Sequence, residues 1–106
     1  PESRRGEAAA LLAQLLHAHL FIISTDVDYV YLNYRRSDAT PIHRVHAGML
    51  RRYAEQGHFP PGNMGPKIEA TLRFLEHGGG EVIITAPELL RAAVEGRAGT
   101  HIIPGE

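Results

Sequence analysis

Of the 11 lysine and arginine residues in this chain, only Lys67 is a lysine. Its ammonium is a compact point charge that can follow a phosphate group, whereas arginine presents a planar fork. Lys67 closes a segment rich in glycine and proline, residues 57–67, where a helix is predicted to begin. A cation in the first turn of a helix is disfavoured by the positive end of the helix macrodipole. An anion bound to the free N–H groups of that turn would offset this repulsion. The segment therefore predicts a phosphate site, although a solvated turn explains the same lysine equally well.

The glycines of this segment support the phosphate hypothesis without making it specific. Glycine lets the backbone approach a ligand closely, and the segment leads into a helix N-terminus. The pattern Gly-x-x-x-x-Gly-Lys-[Ser/Thr] of P-loop proteins is not matched. The segment alone therefore predicts an anion site of unspecified class.

A second candidate group follows a predicted buried strand. Asp26 and Asp28 lie after its carboxyl end, where ligands bind in open α/β sheets. Two such carboxylates can hold Mg²⁺ or orient a ribose hydroxyl, but aspartates in turns commonly bond their own backbone. Among Tyr29, Tyr31 and Tyr34, one ring is a candidate to stack on a base, and packing within a hairpin is the alternative.

Other chemistries have weaker support. The seven histidines form no His-x-x-x-His pair and have no cysteine partners, so we interpret most of them as surface or half-buried residues rather than metal ligands. No Gly-x-Ser-x-Gly motif is present, which leaves serine hydrolysis unsupported. The absence of cysteine excludes disulfides and thiolate nucleophiles, and is typical of cytoplasmic proteins.

Size and charge limit the function further. The 106 residues suffice for one small domain. A net charge of -1 provides no basic field for nucleic acid. No apolar run reaches the roughly 18 residues that cross a bilayer. We therefore expect neither a nucleic-acid partner nor a membrane partner.

The hydrophobic pattern predicts alternating helices and strands. Helices are expected over residues 6–18, from Val45 to about Gly57, from about Pro66 to 77 with Asn63 as its cap, and over 86–94 with a Thr85–Glu88 capping box. Strands are expected over 20–23, 29–34, 81–85 and 100–103, and residues 42–45 are interpreted as the second arm of a hairpin. The strand over 20–23 is expected to be buried on both faces.

The alternation indicates an α/β layered fold, to which the predicted β-hairpin is added. The chain opens on a predicted helix although its strands are of the buried type. We therefore expect part of the natural fold to lie upstream of Pro1.

Two segments resemble the carbamate kinases of the amino-acid kinase superfamily. Residues 21–34 resemble the adenine-side segment of these enzymes, and residues 57–70 resemble their loop Gly-His-Phe-x-Pro-Gly-Ser-Met-x-Pro-Lys. Residues 96–100 are similar to a third family segment. The resemblance covers about residues 8–103 and is most specific in the second segment.

The resemblance implies the C-terminal, ATP-binding part of a three-layer αβα sandwich around a mainly parallel sheet, in proteins that act as homodimers. Family members interconvert ATP and carbamate with ADP and carbamoyl phosphate, using Mg²⁺. It further implies that the adenine and ribose lie beside Thr25, Asp26 and Val27, with Tyr31 nearby. Nucleotide-pocket residues on the second segment are Gly62, Asn63, Met64 and Gly65, and Lys67 is the catalytic contact to the terminal phosphates.

Departures from the family pattern predict that this chain is not a competent kinase alone. Arg5 and Gly6 stand where the family has a lysine and an aspartate, and Asn63 replaces the usual serine. The family's glycine-rich phosphate loop and carbamate site have no counterpart here. Two alternatives remain open, namely a non-catalytic binding or interaction module of the same fold and a superfamily kinase for a different acid.

Overall fold

A computed structural model describes residues 19–106. The predicted helix over residues 6–18, and the replacements at Arg5 and Gly6, lie outside the described residues. The described elements, in chain order, are β1 (Leu20–Ser24), β2 (Val30–Leu32), β3 (Thr40–Ile42), β4 (Arg44–His46), α1 (Ala47–Glu55), α2 (Met64–Glu76), β5 (Glu81–Thr85), a 3₁₀ turn (Pro87–Leu89), α3 (Leu90–Val94) and β6 (Thr100–Ile103).

Four of the strands form one sheet in the order β1-β5-β6-β4. The pairs β1–β5 and β4–β6 are parallel, and β5–β6 is antiparallel. Strands β2 and β3 form a separate antiparallel hairpin. The structure therefore confirms the predicted α/β class, with a mostly parallel sheet and a β-hairpin.

The core lies between this sheet and the two longer helices. Val82, Ile84 and Ile102 from adjacent strands are fully buried in one cluster with Leu50 of α1 and Phe74 of α2. Their alternation along each strand places them on a single sheet face. The helices α1 and α2 cover that face, which fixes the position of the segment that connects them.

Helix α2 ends as the three glycines at residues 78–80 predict. Gly78 has a φ of +98°, a left-handed conformation that glycine adopts without steric cost. The N–H of Gly79 donates to the Phe74 carbonyl at 3.0 Å, and that of Gly78 donates to the Leu75 carbonyl at 3.4 Å. This pair of bonds is a Schellman motif, and it returns the chain to the sheet.

No helix within residues 19–106 has the length and apolar character required to span a bilayer.

The predicted second arm of the hairpin is wrong in its boundaries. Thr40–Ile42 pairs with β2, whereas Arg44–His46 pairs with β6 in the large sheet. Val45, predicted on a helix face, is therefore a buried strand residue opposite Ile102. The chain changes sheets at His43, whose carbonyl accepts the His101 N–H at 3.0 Å.

Both predicted helix caps lack their side-chain bonds. Asn63 occupies the N-cap position of α2, but its side chain makes no capping hydrogen bond. Thr85 does not cap the helix over 86–94, because it remains paired with Ser24 in the sheet and Ala86 takes the N-cap position. The Thr85 hydroxyl instead donates to the Asp28 carbonyl at 3.3 Å.

Two predictions of burial are also wrong. Strand β1 lies at one edge of the described sheet, so its central residues are half-buried and Leu20 is 41% exposed. Leu90 and Val94 were expected on the core side of their helix but are 40% and 55% exposed, whereas Ala93 is buried. The 3₁₀ turn before α3 shortens the helix to five residues, so only one of its side chains reaches the core.

A buried threonine holds the hairpin to the sheet. The Thr100 hydroxyl accepts the Val30 N–H at 2.8 Å and donates to the Ile42 carbonyl at 2.5 Å. Thr100 and Val30 are fully buried. One hydroxyl therefore bonds both arms of the hairpin. Because Thr100 belongs to β6, these bonds fix the distance between the hairpin and the sheet.

We expect Thr100→Val to lower the free energy of unfolding by about 1–3 kcal/mol, because the buried Val30 N–H loses its partner at nearly constant side-chain volume. Thr71→Val is the matched control. Thr71 is equally buried, but its hydroxyl donates to the helical Lys67 carbonyl, which also accepts a helical N–H. Urea unfolding measures both variants, and equal losses would contradict the proposed importance of Thr100.

Candidate functional site

The candidate site lies at the end of the sheet that is formed by the carboxyl termini of β1 and β5. Ser24 and Thr85 form the last pair of their parallel ladder. The Thr25 N–H extends the ladder by donating to the Thr85 carbonyl at 2.9 Å. Residues 25–29 then leave the sheet and lead into the hairpin. This is the edge at which open α/β sheets bind ligands.

A narrow cleft separates this region from the Gly/Pro segment that precedes α2. One wall contains Asp26, Val27, Tyr29, Tyr31 and Tyr34, and the opposite wall contains residues 58–60, Asn63 and Met64. The cleft encloses about 30 Å³, which is room for about two water molecules. A purine base must therefore part these walls or bind across the mouth of the cleft.

A wider groove lies on the other side of the loop that follows β1. It is bordered by Asp26, Val27, Asp28, Tyr31 and Tyr34, and by Ala86, Glu88 and Leu89 beyond β5. Its volume of about 530 Å³ lies within the range of small-molecule sites. The Asp26–Val27 turn and Tyr31 border both concavities, so a ligand in either one contacts the same loop.

Tyr31 is held by its neighbour in this loop. Its hydroxyl donates to the Asp28 carboxylate at 3.0 Å, and its ring centroid lies 5.8 Å from that of Tyr34. Burial, together with the hydrogen bond to Asp28, raises the pKa of the Tyr31 phenol above its usual value. The phenol therefore remains a neutral donor, and the Asp28 contact fixes the orientation of the ring.

Lys67 lies one turn into α2, three residues after the cleft residue Met64. It is half-buried and forms no ion pair with any carboxylate of residues 19–106. Residues three apart are neighbours on a helix surface, so Lys67 and Met64 share one side of α2. An unpaired ammonium beside the cleft is available to an anionic ligand.

The structure brings most of the predicted nucleotide-binding residues together. Asp26, Val27 and Tyr31 from the first segment face Asn63 and Met64 from the second across the narrow cleft. The remaining predicted residues, Thr25, Gly62, Gly65 and Lys67, do not line it. Thr25 lies beside it, where its hydroxyl donates to the Asp26 carboxylate at 3.3 Å.

The cleft is also lined by Tyr29 and Tyr34, which were considered with Tyr31 as base-stacking candidates, and by three residues that were not singled out individually, namely His58, Phe59 and Pro60. The last three belong to the Gly/Pro segment, so its composition already marked them as part of a shaped loop. Tyr29 and Tyr31 are two apart and project to the same face of an extended strand. This spacing was a signal that both rings reach the same cleft.

Gly65 folds the Gly/Pro segment against the start of α2. Its N–H donates to the Pro60 carbonyl at 2.8 Å. A Cβ atom at Gly65 would lie 2.9 Å from that carbonyl oxygen, whereas one at Gly62 would meet nothing within 4 Å. The close backbone approach at Gly65 therefore sets the shape of the cleft wall, and Gly62 does not.

The carboxylates at this edge do not assemble a metal site by themselves. Within residues 19–106, no group of three or more histidine, aspartate or glutamate side chains could hold a metal ion. Asp26 accepts the Thr25 hydroxyl and Asp28 accepts the Tyr31 hydroxyl. Both aspartates therefore act in the described structure as acceptors for neighbouring hydroxyls.

Comparison with known proteins identifies the class. Residues 7–86 match the amino acid kinase family, which is most of the chain, and the chain therefore belongs to that family. A carbamate kinase-like protein of Escherichia coli is 49% identical over 96 residues, which are 91% of this chain and 30% of that protein. The carbamate kinase of Thermoplasma volcanium is 41% identical over 97 residues, covering 92% of this chain and 32% of that enzyme.

A solved structure supports the same relationship. The carbamate kinase from Giardia lamblia bound to AMP-PNP superposes with a TM-score of 0.87 at 32% identity, covering 91% of this chain and 30% of that one. The likeness to carbamate kinases confirms the α/β fold and the family resemblance. The chain spans about a third of the length of these relatives.

We expect Gly65→Ala to destabilise the protein by about 1–2 kcal/mol, because the new methyl group meets a backbone carbonyl that cannot move freely. The helix propensity of alanine opposes this loss by up to about 1 kcal/mol, so any net loss reports the clash. Gly62→Ala is the control and should change stability by less than about 0.5 kcal/mol. Thermal unfolding compares the two variants, and a Gly65→Ala protein as stable as the control would contradict this account of the loop.

Proposed function

We propose that this chain forms the ATP- or ADP-binding part of a carbamate kinase, an enzyme that interconverts ATP and carbamate with ADP and carbamoyl phosphate. The observation that carries the proposal is the cleft itself. Two segments far apart in the sequence, 26–34 and 58–64, meet there where β1 and β5 end. The relative from Giardia lamblia, which is bound to AMP-PNP, supports a nucleotide as the ligand.

The proposed roles follow from the position of each group. Asp26, Val27 and Tyr31 form the wall beside the adenine and ribose, opposite Asn63 and Met64. Thr25 supports that wall through its bond to the Asp26 carboxylate. Aromatic and apolar side chains suit a base, since they supply contact area and a few polar groups fix its orientation.

Lys67 is the proposed contact to the terminal phosphates. Its ammonium has no carboxylate partner within the described chain, and it follows the segment that the close approach of Gly65 to Pro60 shapes. Phosphoryl transfer depends chiefly on positioning and on stabilising negative charge. A lysine that follows the transferred group supplies part of that charge stabilisation.

The proposed Mg²⁺ binds with the nucleotide. Mg²⁺ is usually held by substrate phosphates and one or two carboxylates, and it keeps several waters. Asp26, which lines both concavities, and Asp28, which borders the wider groove, are the candidates to complete such a shell. This fits a site in which residues 19–106 hold no metal cluster of their own.

We further propose that the chain does not transfer phosphate by itself. It spans about 30% of the length of its relatives, and the resemblance assigns the glycine-rich loop and the carbamate site to the family's N-terminal half. In this proposal that half is the required partner, and the complete enzyme is a homodimer. The described cleft supplies nucleotide binding alone.

Replacing Lys67 with alanine tests the phosphate contact. A charge-assisted bond to phosphate contributes about 1.5–3 kcal/mol, so Lys67→Ala should weaken Mg²⁺–ADP binding about 10- to 150-fold and AMP binding much less. Isothermal titration calorimetry measures both ligands. Arg52→Ala, at an exposed position on α1, is the charge-matched control, and equal ADP affinities for wild type and Lys67→Ala would contradict the assignment.

An assay of turnover tests the proposal that the chain binds nucleotide but does not transfer phosphate by itself. The wild-type chain should bind Mg²⁺–ADP but form no ATP from ADP and carbamoyl phosphate, because it lacks the carbamate site. A coupled ATP assay at saturating substrates measures this directly. ATP formation above the uncatalysed rate would show that the chain is a complete enzyme, and absence of any nucleotide binding would favour the interaction module.

A further inference from the structure

His58 occupies a fixed position at the wall of the narrow cleft. It is the third residue after α1, and its N–H donates to the Tyr53 carbonyl at 3.2 Å. Its ring packs edge-on against the Tyr53 ring, with centroids 5.7 Å apart and planes at 87°, and lies 6.4 Å from the Phe59 ring. The ring is half-buried, so contacts on several sides limit its rotation.

One nitrogen of this ring is already used within the protein. The Asn33 N–H donates to His58 Nδ1 at 3.4 Å. This bond joins the hairpin of β2 and β3 to the Gly/Pro segment. Asn33 has a φ of +54°, so its N–H is presented from a left-handed turn at the end of β2. Because Nδ1 accepts a hydrogen bond, the neutral ring carries its proton on Nε2.

The other nitrogen has no partner in the described chain. His58 Nε2 makes no hydrogen bond with any group of residues 19–106, and no polar side-chain atom of the described structure is both buried and unpaired. The N–H therefore remains accessible. Since His58 lines the cleft, its wall carries a donor of fixed tautomer among mostly aromatic and apolar neighbours.

We propose that His58 is a nucleotide-contacting residue whose Nε2–H donates to an acceptor on the purine or ribose. This inference rests on the proposed function and assigns a specificity role that the site residues named above do not include. The purine and ribose are the favoured partners because the tyrosines of the same cleft offer stacking faces to a base. Lys67, the group assigned to the phosphates, does not line this cleft.

Two substitutions separate ligand contact from a purely structural role. His58→Gln places an amide N–H about where Nε2 lies, so it keeps a donor for the ligand and loses the acceptor for Asn33. His58→Asn places an amide oxygen about where Nδ1 lies, so it keeps the acceptor for Asn33 and loses the donor for the ligand. The two variants therefore remove one bond each.

We expect His58→Gln to bind ADP within about 3-fold of wild type and His58→Asn to bind about 5- to 20-fold more weakly, because a hydrogen bond to a ligand contributes roughly a factor of ten. The loss should be the same for AMP as for ADP, since AMP retains both the purine and the ribose. Isothermal titration calorimetry measures the affinity of the wild type and of both variants for each ligand. His77→Asn, at the C-cap of α2, is the matched control and should leave binding unchanged.

Other outcomes overturn the inference. A structural role predicts the reverse pattern, in which His58→Gln weakens binding and reduces the hydrogen-exchange protection of the Asn33 amide, while His58→Asn behaves as wild type. Equal affinities for both variants and wild type also overturn it. A loss confined to ADP shifts the contact to the β-phosphate and overturns the assignment to purine or ribose. If the wild type binds neither ADP nor AMP, the proposed function itself is refuted. The results for the His58 variants bear only on the role of His58.

Discussion

The position of the candidate site depends on one buried hydroxyl group. Thr100, at the first residue of β6, bonds the N–H of Val30 and the carbonyl of Ile42. These two residues face each other in the hairpin, so one side chain holds both arms. A buried polar backbone group needs a partner, and this hydroxyl supplies one to each arm of the hairpin. The tyrosine wall of the cleft is therefore placed by the strand on which Thr100 lies.

The other wall is placed by packing rather than by hydrogen bonds to the sheet. Helices α1 and α2 bury their apolar faces against β5 and β6, and the segment between them must cross the carboxyl edge of the sheet. The Gly65–Pro60 contact closes that segment tightly, and the bond from Asn33 to His58 connects it to the hairpin. The cleft thus lies between two walls that are held in place differently, one by the Thr100 hydrogen bonds and the other by helix packing on the sheet. Ligands that part these walls act against the weak Asn33–His58 bond, whereas the Thr100 bonds remain buried.

The sequence predicted the elements with a local signal and missed those that depend on distant partners. Strand β5 and the end of α2 agree with their predicted positions because an apolar run and three glycines are local features. The second arm of the hairpin was misplaced because the choice between β2 and β6 as partner depends on Thr100, far away in sequence. Thr85 was interpreted as a cap because its pattern fits a capping box, yet pairing with Ser24 fixes it in the sheet. Leu90 and Val94 show the same limit, since apolar periodicity does not reveal what covers a helix.

The sequence alone determined the fold class, the family and the two segments that border the cleft, since these follow from residue types at short spacing. Tertiary structure decided which residues meet. It placed Tyr29, Tyr34 and His58 in the cleft, left Thr25, Gly62, Gly65 and Lys67 outside its lining, and bonded the His58 ring to the hairpin. The physical reason is that the cleft is bounded by chain segments about thirty residues apart. Their approach is set by packing of the helices on the sheet and by buried hydrogen bonds, neither of which leaves a local pattern.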